Sequence, residues 1–247
     1  PICLVYLNRP ECLNALNSET LEEITHFSNS LNNDLQTRAV IFTGKGENFS
    51  AGADLKEKIT YSSKLEAWRR NLGKPAIKSI LNINQITIAA INGHCLGGAA
   101  CIATACDFRI GANNSRVGYP EINLGINLNW LGLPLILRLV GPSKAKRLVI
   151  GGNNEPANNL LNWGFYDQIC EPNDLLKISK EMAVFYSNKP PIAAQMIKRS
   201  VNLLSFTLDE ATMHMDWDQT LLTAETKDRS EATKAFFEKR EPKFHGD

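Results

Sequence analysis

Three short segments of this 247-residue chain carry residue types that could do chemistry. In the first, Ile86 to Ile91 is an apolar, β-branched run broken by Asn92-Gly93. Gly97-Gly98 then opens a run of small residues, Ala99-Ala100-Cys101-Ile102-Ala103-Thr104-Ala105-Cys106. This reads as a buried strand, a glycine turn and a helix too smooth-sided for a surface. The first N–H groups of such a helix have no partner inside it and carry partial positive charge. They are a seat for a phosphate, a carboxylate or a developing oxyanion. The same glycines would equally serve tight packing alone, and such a motif gains meaning only in context. The second segment, Phe49-Ser50-Ala51-Gly52-Ala53-Asp54-Leu55, repeats the logic of strand, glycine loop and helix. Asp54 and Glu57 form a capping-box pattern, so capping is the role expected of Asp54 ahead of catalysis. The third, Pro120-Glu121-Ile122-Asn123-Leu124-Gly125, sets one carboxylate in a weakly polar stretch, either a loop charge or an acid/base.

The elements that must position these segments alternate along the first part of the chain. Strands are read at 2–7, 38–43, 86–91, 108–112 and 166–170. A helix starts at Ser18-Glu19-Thr20, with Ser18 or Thr20 as its cap. Residues 55–85 are polar, mixed and mostly helical, and 127–140 reads as a buried loop and helix around Trp130. From Pro172 onward nearly everything is helix, over 175–186, 190–204, 208–222 and 230–239. The pattern argues for parallel βα units with a helical appendage.

Bulk properties exclude several classes. Lys and Arg number 27 against 26 Asp and Glu, so nothing in the net charge drives the chain toward nucleic acid or a membrane surface. No apolar run reaches the ~18 residues of a membrane span. The six cysteines (Cys3, Cys12, Cys95, Cys101, Cys106 and Cys170) show no CxxC spacing. They are read as reduced and packed, in a cytoplasmic protein without a metal site.

Taken together, the segments resemble the crotonase superfamily, also called the enoyl-CoA hydratase/isomerase family. The resemblance rests on Asn8-Arg9-Pro10 with Asn14-Ala15-Leu16, on Phe49 to Leu55, on Ala89 to Asp107 and on Pro120 to Gly125. Leu139-Val140-Gly141 and Ala235 to Arg240 also fit, in the family's order across nearly the whole chain. It implies an α/β fold: a spiral of ββα/βαβ turns over 1–188 that holds an acyl-CoA site, and a C-terminal helical trimerisation region over 189–247. Homotrimers or hexamers are implied, with coenzyme A present as part of the substrate and no separate cofactor. The N–H groups of Ala53 and Gly98 match the family's oxyanion hole. Ala51, Ala53, Asp54, Leu55 and Gly98 match its substrate and CoA contacts, and Lys239 or Lys243 would reach the CoA phosphates of a neighbouring subunit. Two fixed donors of this kind stabilise an enolate oxygen more than the ground-state thioester. A residue larger than glycine at Gly98 is expected to block the thioester.

The chain departs from the water-adding members in one respect. Those enzymes pair two glutamates. Counting from Leu96-Gly97-Gly98, the first position here is Cys101, and only the second, Glu121, is a carboxylate. A neutral packed thiol is a poor base. The following loop, Ile126-Asn127-Leu128-Asn129-Trp130, lacks the family's glycine, and Asn127 and Asn129 are candidates to hold water or a polar acyl group. The expected activity is therefore double-bond isomerisation of an enoyl-CoA through Glu121. Enoyl-CoA hydration is the alternative, followed by a non-catalytic acyl-CoA-binding or RNA-binding relative; the neutral charge argues against RNA.

Overall fold

Eight strands and eleven helices organise the computed structural model, which describes residues 1–247 apart from the Glu210 side chain. The strands are β1 (Ile2–Leu7), β2 (Ala39–Gly44), β3 (Ile86–Ile91), β4 (His94–Leu96), β5 (Phe108–Ala112), β6 (Arg116–Gly118), β7 (Glu155–Pro156) and β8 (Gln168–Cys170). The first seven helices are α1 (Ser18–Ser30), α2 (Lys64–Arg69), α3 (Gly73–Leu81), α4 (Gly98–Ala105), α5 (Gly132–Val149), α6 (Ala157–Asn162) and α7 (Leu175–Ser187). A terminal group follows: α8 (Pro191–Phe206), α9 (Asp209–Met213), α10 (Asp216–Ala224) and α11 (Lys227–Glu238).

β1, β2, β3, β5 and β8 form one parallel sheet in that order, and β4, β6 and β7 form a second, smaller one. Every residue of β2 is buried, as a parallel strand covered on both faces must be. Its side chains divide by the two-residue period of a strand. Val40 and Phe42 join the main core, with residues of α1, α3, α4 and α5, whereas Ala39 and Ile41 face a second core closed by Leu175 and Ala183 of α7. In β3, Ala89 and Ile91 take the first side, Ile88 and Ala90 the second.

Several local expectations change. The cap of α1 is Asn17, whose side chain accepts the Thr20 N–H, rather than Ser18 or Thr20. Phe49 to Leu55 makes two isolated bridges, Ser50 to Cys95 and Ala53 to Leu16, and no strand of its own. No helix follows it until α2, which Ser63 caps. Asp54 therefore caps no helix: one carboxylate oxygen accepts the Lys56 N–H in a turn, and Arg9, 45 residues away in sequence, takes the other. Glu57 accepts the Ser18 N–H at the start of α1. The helix expected over 208–222 is broken into α9 and α10. α5 runs past the 140 boundary expected for the loop and helix of 127–140, and Gly141, at φ +74°, kinks it there.

The terminal helices are tethered through a buried cation. Lys198 of α8 places Nζ 2.6 Å from Asp107 and 2.7 Å from the Gln85 carbonyl, which it donates to. Removing one partner strands the other charge inside the protein. Lys198→Met is expected to lower the unfolding free energy by about 3 kcal/mol, read from the urea midpoint; an unmoved midpoint would show that the tether adds no net stability. Among the described residues no helix is long and apolar enough to cross a membrane.

Candidate active site

The Asn8-to-Leu16 segment shapes the first half of the site. Asn14, 2% exposed and in the left-handed region at φ +55°, donates from Nδ2 to the carbonyls of Lys45 (2.9 Å) and Asn48 (2.7 Å). Its Oδ1 accepts the Arg9 N–H. Arg9 Nη1 in turn donates to the Ala15 carbonyl and to Asp54 at 2.9 Å. Burial pushes the Asp54 carboxyl up, but the hydrogen bonds from Arg9 and from the Lys56 N–H outweigh it and leave the group below its ordinary range.

The N–H groups of the 51–54 loop can then be accounted for one by one. Ala51 donates to the Leu13 carbonyl, Gly52 to the Ser50 hydroxyl and Asp54 to the Leu16 carbonyl. Ala53 has no acceptor among the described residues. The loop lies directly on the other half of the site. A Cβ on Gly52 would stand 2.5 Å from the Leu96 carbonyl oxygen and 3.5 Å from Gly98 N, and φ of +89° independently requires glycine there.

The second half is the start of α4. Gly97 takes φ +55°, ψ −123°, a conformation close to glycine-only, and its N–H is spent on the Gly118 carbonyl. The Gly98 N–H, the next along, has no acceptor among the described residues. Two unspent donors thus flank the junction of the two glycine segments, where an oxyanion could accept both.

Glu121 comes to the same place from a short 3-10 turn, Pro120–Leu124. Pro120 starts the turn and Gly125, at φ +69°, ends it. Arg229 of α11 holds the turn by donating to the Leu124 carbonyl at 2.5 Å. The Glu121 carboxyl lies against Gly97: a Cβ there would stand 2.7 Å from Oε1. Oε2 is sealed from solvent and has no hydrogen-bond partner among the described residues. Burial raises this carboxyl from its ordinary 4.5 to about 7. A group poised at that value can both take and return a proton near neutrality.

Cys101 lies one turn into α4 and is 1% exposed. Its Sγ approaches the Asn129 carbonyl at 3.9 Å. Burial pushes the thiol well above its ordinary value and the nearby Glu121 charge adds to this, so it stays neutral. Asn127 is committed elsewhere: its amide donates to Gln219 at 3.1 Å and accepts from the Thr220 hydroxyl at 2.7 Å, both on α10. Asn129 meets the site through its carbonyl. Leu55, which follows the 51–54 loop, is exposed, and His94 is exposed on β4.

Sequence reasoning missed Trp130. Its backbone sits at φ +55° and that of Leu131 at +58°. Its indole lies between two glycines: a Cβ on Gly98 would overlap the six-membered ring, and one on Gly73 would overlap the ring around Nε1. This corrects the expected effect at Gly98, where a larger side chain would strike Trp130 first. The turn is held by Asp216 of α10, fully buried, which accepts the Leu131 N–H at 3.1 Å and pairs with Lys74 at 3.0 Å. Paired glycines at Gly73 and Gly98 were the available signal. Two grooves of about 690 and 650 Å³ run beneath α8, away from Glu121.

Comparison with known proteins bears on the whole chain. Residues 1–247 match the family model described as enoyl-CoA hydratase/isomerase. The chain is 35% identical over 242 residues to the short-chain-enoyl-CoA hydratase of Clostridium acetobutylicum, covering 97% of this chain and 92% of that protein. It is 34% identical over 248 residues to the crotonyl-CoA hydratase of Syntrophomonas wolfei, covering 98% and 94%. A solved enoyl-CoA hydratase/isomerase from Pseudoalteromonas atlantica superposes with a TM-score of 0.90 at 25% identity, covering 99% and 96%.

Proposed function

We propose that this chain, which belongs to the enoyl-CoA hydratase/isomerase family and is one of its enzymes, moves a double bond in an enoyl-CoA thioester using Glu121 as its single acid/base. The observation that carries this reading is one carboxyl raised to about 7 beside two unspent N–H groups, with a neutral thiol where a second carboxylate would stand. Glu121 takes a proton from C2 of a 3-enoyl thioester. The electron pair passes to the thioester oxygen, where the Ala53 and Gly98 N–H groups stabilise the charge. The protonated Glu121 then returns the proton to C4, leaving the double bond between C2 and C3. Water need not take part, so one carboxyl is enough.

Hydration is the second reading, favoured by the relatives named as hydratases. Product analysis with crotonyl-CoA and 3-hexenoyl-CoA separates the two. Conversion of the second with little hydration of the first is expected; rapid hydration of crotonyl-CoA would overturn the isomerase reading. The pH profile gives an independent sign. A base must start ionised, so kcat/KM should rise tenfold per pH unit up to about 7 and then level. A reaction in which Glu121 starts protonated would instead decline above 7.

Assembly as a homotrimer or hexamer fits the apolar side chains left exposed along α8, among them Ile192, Met196, Ile197 and Leu204. All six cysteines are unpaired, which suits a reducing cytoplasm.

A further inference from the structure

We propose that the Trp130 indole closes the acyl slot beside Glu121 and restricts the enzyme to short acyl chains. The inference rests on the reading above, in which a thioester sits between Glu121 and the Ala53 and Gly98 N–H groups. Glu121 lies against Gly97 and the indole against Gly98, so the two side chains pack on consecutive residues at the start of α4. An acyl chain leaving the thioester carbon past Glu121 meets the indole at once. The ring fills the space from α4 across to α3, ending at Gly73.

The indole is not free to swing aside. It is seated between two backbones that lack side chains, and any rotation out of that slot would leave a void against both. Its own backbone and that of Leu131 are both left-handed, a conformation that bulky residues hold only when their surroundings enforce it. The buried Asp216 carboxylate enforces it by accepting the Leu131 N–H, and Lys74, adjacent to Gly73, neutralises that carboxylate. Leu128 and Leu131 on either side are buried in the main core, with Trp130 packed against it.

The test is the binding of butanoyl-, hexanoyl- and decanoyl-CoA, measured by calorimetry on the wild type, Trp130→Ala and Trp130→Phe. Each methylene that enters an apolar slot gains roughly fourfold in affinity. Wild-type affinity should stop rising, or decline, between hexanoyl- and decanoyl-CoA. Trp130→Ala should raise the decanoyl-to-butanoyl affinity ratio by about tenfold or more, with Trp130→Phe in between. Wild-type affinity that climbs steadily to decanoyl-CoA would overturn the proposal, even if neither variant folds. So would an unchanged ratio in both variants. Failure of the isomerase reading looks different: chain-length grading would persist while 3-hexenoyl-CoA went unconverted.

Discussion

Glu121→Gln is expected to retain acyl-CoA affinity and to lose about 10²–10⁴-fold in turnover. The amide keeps the shape of the carboxyl but cannot take a proton from C2. No neighbour can replace it, because the nearest candidate, Cys101, is a buried thiol held neutral. Stability should move the other way. The folded carboxyl binds its proton up to about pH 7, whereas the unfolded one releases it near 4.5. The folded state therefore holds the extra proton between those values, and stability declines as pH rises through that window. The amide has no such dependence. At pH 8 the variant should be more stable than the wild type, by up to about 3 kcal/mol, and at pH 4 the two should match. Thermal melts at both values check this, and a variant less stable at pH 8 would mean that the carboxyl is not buried as described.

Gly98→Ala is expected to cost about 10²–10³-fold in rate and about 1–3 kcal/mol in stability. One added methyl overlaps the Trp130 ring, and the ring cannot retreat toward Gly73. The start of α4 must shift, carrying with it the Gly98 N–H, one of the two donors proposed to hold the oxyanion. In a Trp130→Ala background, which removes the obstacle, the same Gly98→Ala change should cost little further stability. The stability costs of the pair should therefore fail to add, as contacting residues do. Strict additivity in urea denaturation would show that the methyl and the indole do not meet.

What could be read in advance follows from how local each signal is. Gly97-Gly98, Gly52 and Glu121 announced themselves by residue type, since glycine beside small residues and a lone carboxylate in an apolar stretch are conspicuous without coordinates. The parallel sheet was legible for a similar reason: β2 and β3 are continuous apolar runs. Asp54 was misread because its capping pattern lies within four residues, whereas Arg9, the partner that wins, is 45 away. Trp130 was read as core because an aromatic among leucines has that appearance on the page. Only the missing side chains of Gly73 and Gly98 show what it fills, and those positions are 57 and 32 residues distant from it. Asn127 looked like a site residue by proximity to Glu121, but its amide is spent on α10.

The bond from the Leu131 N–H to Asp216 spans 85 residues. A ribosome adding about 5–20 residues per second needs roughly 4–17 s to cover that stretch. During that interval Glu121, Gly98 and Ala53 have already been made, and the strands beneath them can pair. The turn carrying Trp130 has nothing to hold it, because the carboxylate that fixes it has not yet been synthesised. Arg229, which pins the Glu121 turn, arrives later still. The nascent chain therefore passes through a stage in which Glu121, Gly98 and Ala53 are present while the turn carrying Trp130 and then the turn carrying Glu121 still wait for the residues that pin them.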